Sequence, residues 1–236
     1  VPLVVLAPVP PVASWPYLGT SVVLHVVYNL LLMKAYRLAE FGQVYPLARG
    51  TSPLLVTVLA AVFVGEVPPV AELVGVVVVS VGLGSLVFLG GRPGRRELPA
   101  VLAAPATGLA IATYSTVDGI GVRTAGSALG YTGWLVLLEC VAIPVIAFGM
   151  RGRKLVGQLR PRLWHGLCGG ALSLLAYGLV LWAQTQGPLA PIAALRETSI
   201  IVGAIIGTVV FRERFGHPRI AATVVVFLGI AVLNLS

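Results

Sequence analysis

The stretch RGTSPLLVTVLAAVFVGE, residues 49–66, decides the fold because it has a counterpart later in the same chain. The counterpart is RETSIIVGAIIGTVVFRE, residues 196–213, in which Arg, Thr, Ser and Glu recur at a fixed offset of 147 residues (49 to 196, 66 to 213). The same offset relates Gly82 to Gly229 in the segments that follow. Similarity at one offset, in register with the ends of apolar segments, indicates an internal repeat.

Both segments belong to a chain that is too apolar for a soluble domain. Of its 236 residues 58% are hydrophobic and 10% are charged, whereas soluble domains contain about 25% charged residues. A transmembrane helix needs ~20 mainly apolar residues, and eight stretches approach that length, with bounds certain to ~2–4 residues. We therefore predict an all-α polytopic membrane protein. The spans are 17–36, 41–64, 70–90, 98–117, 129–150, 164–185, 188–211 and 217–235.

Positive charge is concentrated in alternate loops. The net charge is +8, and of the 16 Lys and Arg residues, 13 follow the first, third, fifth and seventh spans, while the opposite loops contain only Arg123. By the positive-inside rule the basic loops are cytoplasmic, so this charge does not indicate a nucleic-acid partner. The basic loop residues are Lys34, Arg37, Arg92, Arg95, Arg96, Arg151, Arg153, Lys154, Arg160, Arg162, Arg212, Arg214 and Arg219.

The two copies lie five spans apart, so they cross the membrane in opposite directions. The loop at Glu66 has no Lys or Arg, whereas its counterpart at Glu213 has three, as expected for opposite sides of the bilayer. Many secondary transporters use such inverted repeats. We assign residues 1–90 to a first, incomplete repeat and 98–236 to a second. The longest connector between spans, at 151–163, is basic, and we expect it to hold no folded unit. The offset predicts that roughly fifty further residues of a ten-helix protein precede this chain.

Short motifs mark corresponding positions in the two copies. They are Pro46-Leu-Ala-Arg49 with Pro53 and the Gly65-Glu66 turn in the first copy, and Ala193-Ala-Leu-Arg196 with the Phe211-Arg-Glu213-Arg turn and the Gly229 span in the second. This layout resembles the EamA type of the drug/metabolite transporter (DMT) superfamily from residue 17 onward. The resemblance implies two five-helix repeats and a carrier of small metabolites in the cytoplasmic membrane that works without ATP or another cofactor.

Arg49 and Arg196 are the main candidates for substrate binding. Each lies about eight residues inside its span, ~12 Å along the helix, where a charged side chain costs at least ~2.5–3.5 kcal/mol. A guanidinium presents paired donors that fit a carboxylate. The alternative is structural: Arg196 pairs with Glu197 or Glu139, and Arg49 bonds backbone carbonyls freed by nearby prolines.

Two carboxyl groups are further candidates. Glu139 lies in the middle of its span, where desolvation disfavours the charged form, so it is a candidate for taking up and releasing a proton that couples transport. The alternative for Glu139 is a fixed salt bridge to Arg196 or Arg49. Asp118, near the end of the fourth span, either faces an opening of the pathway or pairs with Arg123 at the helix terminus.

Tyr114 and Tyr177 complete the predicted substrate site as aromatic residues that line a cavity. Core packing and interfacial belts are the alternative for such residues. Gly50 and Pro53 favour a break or kink in the second span, which would place irregular backbone beside the pathway.

Four other residues have structural interpretations. Glu66 and Glu213 stand where one helix ends and another begins, so helix capping explains them. Cys140 and Cys168 lie within apolar spans and are interpreted as small buried residues rather than a disulfide pair.

The leading hypothesis is a secondary transporter, an exporter of a small polar or anionic metabolite that works by alternating access. Its expected partners are that substrate, membrane lipid and, for a coupled carrier, the proton; a homodimer is left open. The alternative is a membrane-embedded enzyme acting on a lipid or isoprenoid substrate, with Asp118, Glu139 and the arginines as its polar cluster. The chain has no phosphate-binding Gly-x4-Gly-Lys-Ser/Thr loop, and its three histidines lack the spacing of metal ligands.

Overall fold

Helices make up the regular structure in the computed structural model of the chain. It describes residues 7–38, 41–85, 98–152, 154–159, 161, 163–199, 202 and 217–235, and within these ranges there is no strand. A short 3-10 turn at Val12–Ser14 precedes the first α-helix. The helices described are α1 (Trp15–Leu38), α2 (Phe41–Phe63), α3 (Val70–Ser85), α4 (Leu98–Ala125), α5 (Ala128–Arg151), α6 (Lys154–Leu159), α7 (Leu163–Gln184), α8 (Leu189–Arg196) and α9 (His217–Leu235).

The hydropathy pattern predicts some helix ends closely and others poorly. α5 and α7 begin and end within one residue of the predicted spans 129–150 and 164–185. α4 continues eight residues beyond the predicted end at residue 117. The basic connector at 151–163, expected to hold no folded unit, contains the short helix α6.

Three of the described segments are long and apolar enough to cross a membrane, namely Val12–Lys34, Ala128–Arg151 and Leu163–Gln184. Shorter apolar helices cover Ala48–Phe63, Val70–Ser85 and Thr223–Leu233. The interpretation of Cys140 and Cys168 as buried residues is wrong, because both side chains are exposed on this helical surface. The thiol is a small apolar group, so a lipid-facing surface accepts it as readily as a protein core does.

Of the predicted break or kink at Gly50 and Pro53, the break is not found, and the kink stays a prediction. α2 is continuous from Phe41 to Phe63, and Gly50 instead allows close packing. A Cβ atom at Gly50 would lie 3.0 Å from both Leu83 Cβ and Gly84 N of α3. The glycine therefore brings α2 and α3 together rather than ending a helix.

The chain folds into two compact units. Unit 1 comprises Val1–Val26 and Val117–Gly187, and unit 2 comprises Val27–Thr116 and Pro188–Ser236. Each unit therefore combines segments from both predicted repeats. The core of unit 1 is formed by Leu18, Val122, Tyr131, Leu135 and Leu181. The largest apolar cluster of unit 2 is formed by Val76, Val79, Leu83, Ala194, Val226, Ile230 and Leu233.

Within unit 2, α3 and α9 approach each other through glycines. A Cβ atom at Gly229 would lie 2.8 Å from Val79 Cγ2 and 2.9 Å from Val79 N. A Cβ atom at Gly82 would lie 3.0 Å from both Val225 Cγ1 and Val226 Cγ2. Small residues at a membrane helix interface let the two backbones come close, and the resulting van der Waals contact holds the helices together.

We expect Gly229→Ala to destabilise the protein by about 1–3 kcal/mol, the usual cost of an added methyl group in a packed site. The added carbon collides with the Val79 backbone, which cannot rotate away. Thermal unfolding in detergent, followed by circular dichroism, measures the effect. Gly84→Ala in α3 is the matched control, because nothing lies within 4 Å of its added carbon. Equal unfolding temperatures for the two variants would contradict this account of the α3–α9 contact.

Candidate functional site

A group of polar residues in unit 2, which we name the arginine cluster, contains one buried ion pair. Arg49 Nη1 donates to Glu197 Oε1 at 3.1 Å. The Glu197 side chain is only 2% exposed and the Arg49 side chain 15%. Glu197 therefore pairs with Arg49 and not, as one alternative had it, with its neighbour Arg196, because successive side chains on a helix do not face each other. The name arginine cluster covers two sets of residues that adjoin along the chain, namely Arg49 with Glu197, and Arg196 with Tyr28, Tyr114 and Ser115.

Arg196 is oriented by hydroxyl groups. Its Nη2 donates to Tyr114 Oη at 3.0 Å and its Nη1 to Ser115 Oγ at 3.4 Å. The guanidinium carbon lies 5.9 Å from the centre of the Tyr114 ring, and the Tyr28 ring packs edge-on against that ring at 5.5 Å. Tyr114 and Ser115 are both buried. These contacts fix the plane of the guanidinium, while the hydroxyl groups themselves carry no charge.

Arg196 is the last residue of α8, and both ends of this short helix are held by hydrogen bonds. The carboxylate of Glu66 caps the start of this helix, since Oε2 accepts from Leu189 N at 2.8 Å. The helix ends at Arg196, where Glu197 N bonds the carbonyls of Ala194 and Leu195. The predicted capping role of Glu66 is therefore correct, although the helix that it caps lies far along the chain. The corresponding Glu213 lies outside the described residues.

A second polar group, which we name the carboxyl cluster, lies in unit 1 and is centred on Asp118. The Asp118 side chain is fully buried. Its Oδ1 accepts from Tyr131 Oη at 2.9 Å and its Oδ2 from Tyr177 Oη at 2.5 Å. Gly121 makes room for this arrangement, because a Cβ atom there would collide with the Tyr131 hydroxyl. The cluster consists of Ser21, His25, Asp118, Tyr131, Glu139 and Tyr177.

The predicted terminal pair of Asp118 with Arg123 is not found, and the Asp118 side chain is buried. Asp118 lies inside α4 rather than at its end, so hydroxyl groups can surround it. Arg123 Nε donates instead to Gln184 O at 2.7 Å, and its Nη2 to Gly187 O at 2.7 Å. Arg123 therefore caps the carboxyl-terminal end of α7, where a cation is favourable.

Glu139 has a partner that the sequence analysis did not identify. Its Oε1 lies 3.2 Å from His25 Nδ1, rather than pairing with Arg49 or Arg196. The same His25 nitrogen lies 3.0 Å from Ser21 O and 3.1 Å from Ser21 Oγ. The His25 ring also packs edge-on against Tyr177, with ring centres 5.6 Å apart. A single histidine therefore links Glu139 to the residues around Asp118.

The five predicted site residues thus separate into two groups. Arg49, Arg196 and Tyr114 belong to the arginine cluster, and Glu139 and Tyr177 to the carboxyl cluster. Unit 1 also has an open pocket of about 430 Å³, whose lining includes Val122, Arg123, Trp182 and Gln186. The five predicted residues are not among the described residues that line this pocket.

Comparison with known proteins gives the family. A model of the EamA-like transporter family matches residues 98–235, which is more than half of the chain. The chain belongs to the EamA-like transporter family. The predicted resemblance to the DMT superfamily is therefore confirmed, and this EamA protein is an integral membrane protein of a transporter family. Membership of this family does not favour the alternative of a lipid-modifying enzyme.

A solved crystal structure supports the fold of the EamA protein. The two structures superpose with a TM-score of 0.68 at 18% sequence identity, and the match covers 94% of this chain and 78% of the other. At this identity the likeness concerns the fold alone. No sequence among curated proteins matches the EamA chain.

Proposed function

We propose that this EamA protein is a secondary transporter that exports a small polar or anionic metabolite across the cytoplasmic membrane by alternating access. Family membership supports the transporter class. The observation that supports an anionic substrate is Arg196, whose guanidinium is held by the hydroxyl groups of Tyr114 and Ser115. A membrane protein retains such costly groups chiefly where they serve a pathway or a substrate.

The chemistry of the cluster suits a carboxylate or phosphate group. A guanidinium offers five N–H donors in a planar fork, and two of them engage the hydroxyl groups of Tyr114 and Ser115. An anion that is bound by the Arg196 guanidinium gains charge-assisted hydrogen bonds. The rings of Tyr114 and Tyr28 add an apolar wall for the rest of a small metabolite.

The α3–α9 contact supports the inverted repeat that alternating access requires. Gly82 packs against Val226, and Gly229 packs against Val79. Gly229 corresponds to Gly82 at the offset of 147 residues, and Val226 corresponds to Val79 at the same offset. The two contacts are therefore equivalent when the two copies are interchanged. A contact that is exchanged in this way is what a two-fold axis between two related copies produces.

The same offset assigns different roles to the two arginines. It relates Arg49 to Arg196, but it relates Gly50 to Glu197. Only the second copy therefore has a carboxylate at this position, and Arg49 is the residue that binds it. We assign Arg49 to a structural ion pair and Arg196 to substrate binding.

A thermal-shift screen of carboxylate and phosphate metabolites on the full-length protein tests the proposal. We expect a ligand that stabilises the wild type and binds Arg196→Ala roughly 10- to 150-fold more weakly, because a hydrogen bond to a charged group contributes about 1.5–3 kcal/mol. Arg196→Lys is expected to recover part of the affinity, since a lysine retains the charge without the planar fork.

Lys34→Ala is the matched control, because it removes one positive charge from an exposed end of α1. It is expected to bind the ligand like the wild type. Undiminished affinity in Arg196→Ala would refute the assigned role of Arg196. A screen in which only cationic metabolites bind would refute an anionic substrate.

A further inference from the structure

The carboxyl cluster of unit 1 has no role in the substrate site proposed above. It places two carboxyl groups and an imidazole among four helices, α1, α4, α5 and α7. We propose that Asp118, His25 and Glu139 form a proton-binding site of the carrier, with Glu139 as the group that takes up and releases the proton. This inference rests on the proposed transport function, because it supplies the ion that would drive export.

The hydrogen bonds of Asp118 leave little room for a proton there. Tyr131 and Tyr177 donate to its two oxygens, one to each. An ionised carboxylate is an acceptor only, and a proton on Asp118 would remove the negative charge that strengthens both of these hydrogen bonds. Asp118 is therefore the fixed negative end of the cluster.

Glu139 differs from Asp118 in its surroundings. Its Oε1 is buried, yet it makes no hydrogen bond within the part of the chain that the structure describes. His25 Nδ1 lies only 3.2 Å away, but that nitrogen also lies 3.0 Å from Ser21 O. A carbonyl oxygen can only accept, so the Nδ1 hydrogen is directed to Ser21. Oε1 therefore has an open position at which a proton can bind.

The sum of charges favours uptake of one proton. His25 interacts electrostatically with both Asp118 and Glu139. Even with His25 as an imidazolium, two carboxylates leave one net negative charge in the cluster. A net charge buried in a protein interior or in hydrocarbon is costly unless it is neutralised. With His25 as an imidazolium, binding of one proton to Glu139 brings the net charge of the cluster to zero.

The proton exchange needs no other reactant. A hydronium ion gives its proton to the Glu139 carboxylate, one O–H bond forms, and water is left. Release reverses the step. The Glu139 side chain remains 20% exposed, whereas Asp118 is fully buried, so exchange occurs at the Glu139 end. The titratable groups that interact with the Glu139 carboxyl are His25 of α1 and Asp118 of α4, while Tyr131 of α5 and Tyr177 of α7 bind Asp118.

Infrared difference spectroscopy of the full chain in liposomes tests the proposal without any substrate. On titration from about pH 8 to pH 5, which spans the ordinary pKa of histidine and stays above the ordinary carboxyl pKa of about 4, we expect the carbonyl band of one protonated carboxylic acid to appear. The band should be lost in Glu139→Gln and kept in Glu72→Gln, a carboxyl-to-amide change in α3 of unit 2. His25→Gln should alter the midpoint of the titration.

Two results would overturn the proton site. One is a wild-type spectrum without a titrating carboxyl band, which needs no variant to fold. The other is an unchanged band in Glu139→Gln. Because the spectrum involves no substrate, the proton site and the substrate site at Arg196 can fail independently of each other.

Discussion

Glu197→Leu is expected to lower the stability of the protein by about 3–5 kcal/mol, the usual cost of removing one partner from a buried ion pair. Arg49 would lose the carboxylate that its Nη1 binds at 3.1 Å while its guanidinium stays largely buried. Thermal unfolding in detergent and the yield of monodisperse protein measure the loss.

A double variant separates loss of charge from loss of volume. Arg49→Met combined with Glu197→Leu replaces the pair by apolar residues of similar size, a change that is often neutral or stabilising. We expect this double variant to recover most of the lost stability, whereas Arg196→Met in the Glu197→Leu background should not. Recovery with Arg196→Met instead would mean that Glu197 pairs with the other arginine.

Asp118→Leu is expected to be the second severe substitution. It removes the acceptor of two tyrosine hydroxyl groups, and Tyr131 is completely buried. Each unsatisfied buried hydroxyl costs about 1–3 kcal/mol, so we expect a loss of about 2–6 kcal/mol in thermal unfolding. Asp118→Asn, which keeps one oxygen, should be milder.

The apolar triple variant Asp118→Leu, Tyr131→Phe and Tyr177→Phe provides the control. It removes the donors along with the acceptor, and we expect it to be more stable than Asp118→Leu alone, because no hydroxyl is left without a partner. If the triple variant were as unstable as Asp118→Leu, lost hydrogen bonds would not explain the effect.

The limits of the sequence analysis are clearest at Asp118. The hydropathy pattern located α5 and α7 to within one residue, because charged or polar residues bound both helices. The same criterion ended the fourth span at residue 117, where an acidic residue follows. Asp118 instead lies inside α4, since two tyrosine hydroxyl groups bind its carboxylate. A charged residue therefore marks the end of a membrane span only when no other group of the protein binds its side chain.

Ion-pair partners are another feature that the sequence did not specify. The sequence analysis selected Arg49, Arg196 and Glu139 as candidates because a charge in hydrocarbon is costly. It did not identify the groups that bind them, because those groups are brought close only by the packing of the helices. Arg49 and Glu197 are 148 residues apart, and the sequence offered Arg196 an acidic neighbour that it does not bind. His25 was set aside because no metal-ligand spacing surrounds it, whereas its role depends on Glu139, more than a hundred residues away.

The glycine contact between α3 and α9 has a consequence for biosynthesis. Gly82 and Gly229 are 147 residues apart, and at roughly 5–20 residues per second the ribosome needs on the order of ten seconds to make the intervening chain. During that time the small-residue face of α3 is in the bilayer without the helix that will cover it. Unit 2 therefore closes only when α9 is inserted, so α3 enters the bilayer well before the helix against which it packs.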